Sequence, residues 1–327
     1  MPRVVVTRPL PGRAVEMLAE GLGEAQVWVH EEDAPIPRDT LLNTIPGAEA
    51  VLSLLTERVD AAFFDAAGPG LRIVANMAVG YDNIDVAEAT RRGVPVSNTP
   101  DVLTETTADL AFGLILAAAR RFSESERFLR SGQWGTWSPT LLLGVDVHGK
   151  TLGIYGMGRI GQAVARRARG FAMPVRYHNR TRLPDALERE LGATWVDFPT
   201  LLAESDVLSL HCPLSAETRH RFGAAEFRAM KPAAVLVNTT RGPVVDEAAL
   251  AAALRAGEIF AAGLDVFEKE PAVHPGLLAC DNVVLIPHLG SATRDTRAAM
   301  AELAARNILD RLQGRRPPTC VNPETLD

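Results

Sequence analysis

A chain of 327 residues that is 47% hydrophobic and 23% charged carries enough apolar mass for two globular cores. Its formal net charge of −6 at pH 7 excludes a general nucleic-acid surface. The longest apolar run, Leu110–Ala119, is about half of what a membrane span needs, so no membrane partner is expected. Cys212, Cys280 and Cys320 form no C-x-x-C pair and no even disulfide framework. The opening MPRVVVTRPL has only a short apolar run before Arg8 and reads as a first strand, not a signal peptide. A cytoplasmic protein with inert thiols is the expectation.

Strand-like runs occur at Val4–Thr7, Gln26–His30, Ala50–Leu54, Leu71–Asn76 and Val94–Asn98. Helical patterns such as Arg13–Glu20, Arg38–Thr44 and Ile84–Arg92 separate them. The alternation predicts a parallel, doubly wound α/β sheet. It holds no phosphate-loop motif, which assigns it to a substrate. After Pro100, Thr104–Ser131 reads as one long helix, apolar at its centre and polar at its end. Gly132–Gly149 is irregular and carries Trp134, Trp137 and Leu141–Leu143, an apolar arm that predicts a subunit contact.

The next stretch, GKTLGIYGMGRIGQAVARRARG at 149–170, has the most specific reading. Thr151–Tyr155 is a short apolar strand. Gly156, Gly158 and Gly161 follow in G-x-G-x-x-G spacing, and Ile160, Ala163, Val164 and Ala168 then recur at helical intervals. Gly156 permits a tight turn, Gly158 lets the backbone approach a pyrophosphate, and Gly161 lets helix and strand pack closely. The helix N-terminus offers N–H groups and a positive dipole end to phosphates. Strand, turn and helix in this order predict dinucleotide binding.

A second strand–helix series runs through Val175–His178, Ala193–Val196, Val207–Leu210, Ala234–Asn238, Phe260–Asp265 and Val283–Ile286 to Pro287. A last long helix, Thr293–Gln313, can return to the first unit. The expected division is a substrate domain of 1–100 and 288–327 around a dinucleotide domain of 101–287, with a dimerisation arm at about 120–148.

Cofactor choice is read about 20 residues past the glycines, where an NAD enzyme usually presents an acid to the ribose hydroxyls. Here His178 and Asn179 stand there, and Arg180, Thr181 and Arg182 follow. Guanidinium groups suit a 2′-phosphate, so NADP(H) is expected to be preferred, with NAD(H) possible. Three later stretches lie at C-terminal ends of strands, where open α/β sheets bind ligands. VNTTRGPVVDEAAL places Arg241, GLDVFEKEP places Asp265 and Glu270, and IPHLGSAT places His288 with Gly290 and Ser291 behind it. The remaining histidines have no partners at metal-ligand spacing, and no catalytic metal is expected.

These residues, with GYDNID at 80–85, HCPLSAET at 211–218 and VNTTRG at 237–242, give the chain a resemblance to the D-isomer-specific 2-hydroxyacid dehydrogenases. Within them it is most similar to the glyoxylate/hydroxypyruvate reductases, and NRTR at 179–182 resembles their NADP-preferring members. The resemblance covers nearly the whole chain. It implies a Rossmann cofactor domain inserted in a flavodoxin-like substrate domain, a homodimer, and NADPH-dependent reduction of glyoxylate or hydroxypyruvate to glycolate or D-glycerate.

It also implies roles. Arg241 would hold carboxylate and carbonyl through its rigid fork. His288 would donate the proton, and Glu270 would orient the imidazole and favour its charged form. Leu54, Val79, Gly80 and Ser291 match substrate positions, Val79 and Gly80 through backbone N–H groups, and Trp137 is placed near substrate from a partner subunit. Arg159, Ile160, Pro213, Thr218, Thr239, Asp265 and Gly290 match cofactor-lining positions, and His211 lines that pocket structurally. Glu270 separates the chain from formate dehydrogenases, which carry Gln there. A D-lactate or D-3-phosphoglycerate dehydrogenase and a dinucleotide-sensing binding protein are the alternatives. LSLLTERVD at 52–60, with Arg58 the one nearby cation, fits a small uncharged substrate tail better than a phosphorylated one.

Overall fold

Short runs rich in Val, Ile, Leu and Ala form parallel strands, most of them wholly buried, as expected where helices cover both faces of a sheet. The computed structural model describes residues 3–326. The chain makes two compact units, Met1–Leu103 with Ser291–Asp327, and Thr104–Gly290.

The first unit opens with β1 (Val4–Val6), α1 (Ala14–Leu22), β2 (Val27–Val29), α2 (Arg38–Thr44) and β3 (Ala50–Ser53). It continues through α3 (Ala61–Ala67), β4 (Ile73–Asn76), α4 (Val86–Arg91) and β5 (Val96–Ser97). The parallel strand order β2-β1-β3-β4-β5 is flavodoxin-like. Asp60 and Asp85 start α3 and α4 by accepting the N–H groups of Phe63 and Glu88. Phe63 of α3 and Val74 of β4 are wholly buried in one core cluster that also takes in Ala89 of α4.

The second unit begins with α5 (Thr104–Ala119) and α6 (Phe122–Arg130). The single helix expected over Thr104–Ser131 is therefore two. Arg121 adopts a left-handed φ of 55°, and its guanidinium grips both Glu124 oxygens at 2.7 Å. The incoming chain caps α5 instead, through Val145 N–H to Ala119 O at 2.9 Å.

Then come β6 (Leu152–Tyr155), α7 (Arg159–Ala168), β7 (Val175–His178), α8 (Asp185–Leu191), β8 (Ala193–Trp195) and α9 (Phe198–Glu204). β9 (Val207–Leu210), α10 (Ala224–Ala229), β10 (Val235–Asn238), α11 (Glu247–Ala256), β11 (Ala261–Leu264), α12 (Pro275–Leu278) and β12 (Val283–Leu285) complete the unit. The seven-stranded order β12-β11-β10-β9-β6-β7-β8 reverses between β9 and β6, the switch point of a Rossmann sheet. Leu152, Ile154, Ala163, Val164 and Ala168 lie wholly buried between β6 and α7.

The chain returns to the first unit with α13 (Arg294–Leu312), which packs on α1 and against β3 and β4. The joints lie after Leu103 and after Gly290, each three residues beyond a proline, Pro100 and Pro287. His288 consequently belongs to the second unit, not to the first. The reason is local: His288 N–H donates to Asp265 O at 2.8 Å, tying the turn to the end of β11.

Candidate active site

The glycine turn after β6 is built as its spacing demands. Gly156 has φ 101°, and a Cβ there would stand 2.5 Å from Cys212 N. A Cβ on Gly161 would meet Gly156 O at 2.4 Å, so only glycine lets α7 sit against its own strand. Gly158 faces open space, with nothing within 4 Å of an added Cβ. It is the N-cap of α7 and offers no side chain to the first N–H groups. A cradle of backbone donors open to a ligand fits a dinucleotide pyrophosphate. The N–H groups at Gly158, Arg159 and Ile160 are the ones that would hold it.

Asn179 closes this turn from the end of β7: its Oδ1 accepts Met157 N–H at 2.7 Å. The two arginines that follow have different fates. Arg182 makes a two-pronged bond to Glu188, at 2.9 and 2.6 Å, and the buried Tyr177 hydroxyl donates to the same carboxylate at 2.6 Å. That pairing holds the Glu188 carboxyl down to about 2. Arg180 is 87% exposed, with Glu217 at 3.5 Å. Of the two arginines, Arg182 is the one held by a two-pronged carboxylate, and Thr181 stands beside Arg180.

Beyond β9, burial pushes the His211 imidazole down to about 3, so it is neutral, and its Nε2 contacts Ser209 Oγ at 2.8 Å. Thr218 turns its hydroxyl inward to Pro213 O at 2.8 Å and closes that loop. Thr239 Oγ1, after β10, is buried with no hydrogen-bond partner. A buried hydroxyl at a strand end beside the glycine turn's sheet edge suits a bound polar group.

Arg241, Glu270 and His288 follow β10, β11 and β12, whose C-terminal ends share that edge. Asn238 fixes the Arg241 turn: its Oδ1 accepts Thr240 N–H at 3.0 Å and its Nδ2 donates to Arg241 O at 3.0 Å. His288 stands in the left-handed region at φ 53°, an uncommon place for a non-glycine residue. Asp265, 1% exposed, anchors that turn by accepting the N–H groups of Leu289 and Gly290 at 2.5 and 2.8 Å. Burial pushes the Asp265 carboxyl up.

His288 Nδ1 meets Glu270 Oε2 at 2.8 Å, and Glu270 Oε1 accepts Phe267 N–H at 3.0 Å. Burial pushes Glu270 up, but the hydrogen bond from His288, with its charge, outweighs this and leaves the carboxyl below its ordinary value. A carboxylate can only accept, so Nδ1 carries the shared proton.

In the first unit, the loops after β3 and β4 are held through their carbonyls. Asn83 Nδ2 donates to Leu54 O at 3.0 Å, Asn98 Nδ2 to Val79 O at 2.8 Å, and Asn76 Nδ2 to Gly80 O at 3.0 Å. Ser291 opens the returning segment, its carbonyl accepting Thr293 N–H. These asparagines, and Asn238, escape a search for chemistry-bearing residues. Asn76, Asn98 and Asn238 share a visible signal, an Asn at or just beyond a strand's end, while Asn83 lies in the loop before α4. Among the described residues no group of His, Cys, Asp and Glu could hold a metal ion, and no helix is long and apolar enough to cross a membrane.

A phosphate-binding turn and a carboxylate–imidazole pair on one sheet edge define a nicotinamide-dinucleotide-dependent oxidoreductase. Residues 112–290 match the family model of the D-isomer specific 2-hydroxyacid dehydrogenase, NAD binding domain, and the chain belongs to this family. It is 52% identical to a glyoxylate reductase of Thermococcus onnurineus over 330 residues, 100% of this chain and 97% of that one. A protein of Thermus thermophilus has a similar structure, with TM-score 0.91 and 46% identity over 98% of this chain and 99% of that one. The NADPH-dependent glyoxylate/hydroxypyruvate reductase of Sinorhizobium meliloti, solved with NADP and malonate, gives TM-score 0.82 and 35% identity, over 99% and 97%.

Proposed function

We propose that the protein reduces a small 2-oxoacid, glyoxylate or hydroxypyruvate, to the D-2-hydroxyacid, preferring NADPH and using NADH less well. The observation that carries this is the 2.8 Å Glu270–His288 pair on the Arg241 edge of the glycine-turn sheet. When bound, the reduced nicotinamide supplies hydride to the carbonyl carbon.

The chain's own residues do the rest. Arg241 binds the substrate carboxylate and polarises the carbonyl oxygen with its fork of donors. Nδ1 of His288 is committed to Glu270, so proton delivery to the nascent alkoxide falls to Nε2. In the first unit, Val79 and Gly80, whose carbonyls are taken by Asn98 and Asn76, keep the N–H groups that the family resemblance assigns to substrate. Leu54 and Ser291 are the other substrate positions that resemblance gives. Arg159, Ile160, Pro213, Thr218 and Thr239 belong to the cofactor side, with Asp265 and Gly290 near the nicotinamide.

Steady-state oxidation of NADPH and of NADH with glyoxylate, hydroxypyruvate and pyruvate tests the reading. Rapid NADPH use with either of the first two is expected, and no turnover with any of them would reject it. Arg180→Ala should raise KM for NADPH by about 10- to 100-fold, the worth of one charged hydrogen bond, and leave KM for NADH within about twofold. Equal losses with both cofactors would remove Arg180 from the 2′-phosphate.

A homodimer is part of the same proposal. Trp137, Leu143, Phe122 and Leu129 are 76, 60, 58 and 57% exposed on α6 and the arm after it, an apolar surface a second copy would cover. Sedimentation should give twice the chain mass, and Trp137→Glu with Leu143→Glu should give single chains.

A further inference from the structure

The segment that carries Glu270 belongs to no helix or strand and has only the single Lys269–Ala272 bridge across its turn, yet its carboxylate must meet His288 to within tenths of an ångström. What holds it comes from α11. Glu247, the first residue of that helix, is 5% exposed and lies under the segment. Its Oε1 accepts Glu268 N–H at 2.6 Å and its Oε2 accepts His274 N–H at 3.2 Å. One carboxylate thus grips the segment on both sides of Glu270.

The grip is reciprocal. Glu268 Oε1 accepts Glu247 N–H at 2.9 Å, and Glu268 Oε2 meets His220 Nε2 at 2.9 Å. Gly242, the residue after Arg241, closes the other side. A Cβ there would stand 1.8 Å from the Phe267 carbonyl carbon and 2.3 Å from Glu268 N, so the Phe267–Glu268 peptide lies directly on its backbone. Phe267 N–H in turn donates to Glu270. The turn that presents Arg241 and the segment that presents Glu270 are therefore one packed piece.

We propose that Glu247 is a positioning residue for the reaction, holding Glu270 in register with His288 without itself touching substrate or cofactor. This rests on the role given to Glu270 and His288 above. A buried carboxylate that accepts backbone N–H groups from both flanks fixes the segment in a way no exposed side chain could. Glutamine in its place keeps the volume, accepts through one oxygen only, and turns an NH₂ group towards a backbone donor.

The experiment is a double-mutant cycle on the full-length enzyme with Glu247→Gln, Glu270→Gln and the pair. It reads kcat for glyoxylate reduction with NADPH, NADPH affinity by fluorescence, and melting temperature. Glu247→Gln alone should lower kcat about 10-fold, in keeping with a displaced catalytic group, with NADPH affinity within about twofold. In the Glu270→Gln background the same change should alter kcat by less than about twofold, because the group it positions is already gone.

A 10-fold loss in both backgrounds would overturn the proposal, since the effect would then not pass through Glu270. Unchanged kcat in a folded Glu247→Gln enzyme would overturn it as well. An unaltered Glu270→Gln single variant would instead reject the role of Glu270, and the two failures are told apart by that measurement. Should Glu247→Gln not fold, Glu247→Asp, which keeps the charge and withdraws it by one methylene, carries the same cycle and the same criteria.

Discussion

Replacing His288 with alanine should lower kcat for glyoxylate reduction by about 10²–10⁴-fold, the usual worth of a positioned general acid, and leave NADPH affinity within about twofold. The imidazole is tied to Glu270 through Nδ1 and stands on a turn pinned by Asp265. Removing the ring takes away the proposed proton donor without touching the glycine turn.

Reduction consumes the proton that the proposal places on His288, and oxidation of the hydroxyacid returns it, so both directions should be lost together in His288→Ala.

Glu270 supplies an acid-side check. Its folded value lies below the ordinary one, so the stability it contributes is complete above the ordinary carboxylate range and is lost as pH falls through the lowered value. Without His288 the burial remains and the partner is gone. The acid unfolding midpoint of His288→Ala should therefore move to higher pH. A variant with wild-type turnover would remove His288 from the chemistry altogether.

Arg241→Gln is expected to lower kcat/KM for glyoxylate by about 10²–10³-fold, most of it in KM, with the NADPH affinity little changed. Gln keeps a donor and much of the stem but loses the charge and the two-pronged geometry. Arg241→Lys separates the two: it restores charge without the fork and should recover only part of the loss. Full recovery with lysine would mean that charge alone matters at this position and that the rigid fork has no role. The turn itself should survive, since Asn238 holds the backbone of both Thr240 and Arg241, to which the arginine side chain adds a bond from Nη1 to Thr240 O at 2.8 Å. Unchanged melting temperatures across the three proteins are the control.

Much of the candidate site is legible in the sequence. Gly156, Gly158 and Gly161 could be given separate tasks from spacing alone, and the φ of 101°, the open cradle and the 2.4 Å approach answer to those tasks. Arg241, Glu270 and His288 were visible because each follows a strand-like run on a parallel sheet, where the C-terminal ends converge by topology.

Other features were not legible. The run Thr104–Ser131 kept a helical pattern across Arg121, so nothing local announced the break between α5 and α6. Arg180 and Arg182 look alike in NRTR, yet Glu188 engages one of them.

Two parallel sheets, a phosphate-binding turn and the residue types along one sheet edge can be read from the chain alone. These follow from period, glycine spacing and residue type, which act over a few neighbouring positions. Packing set which arginine is tied to Glu188, which unit holds His288, and that Glu247 and Gly242 clasp the segment bearing Glu270. Those are hydrogen bonds and backbone contacts between residues far apart in the chain, such as Glu247 with Glu268 and Asp265 with Gly290. A carboxylate's pattern in the sequence is the same whether it meets water or two buried N–H groups, and only packing settles which.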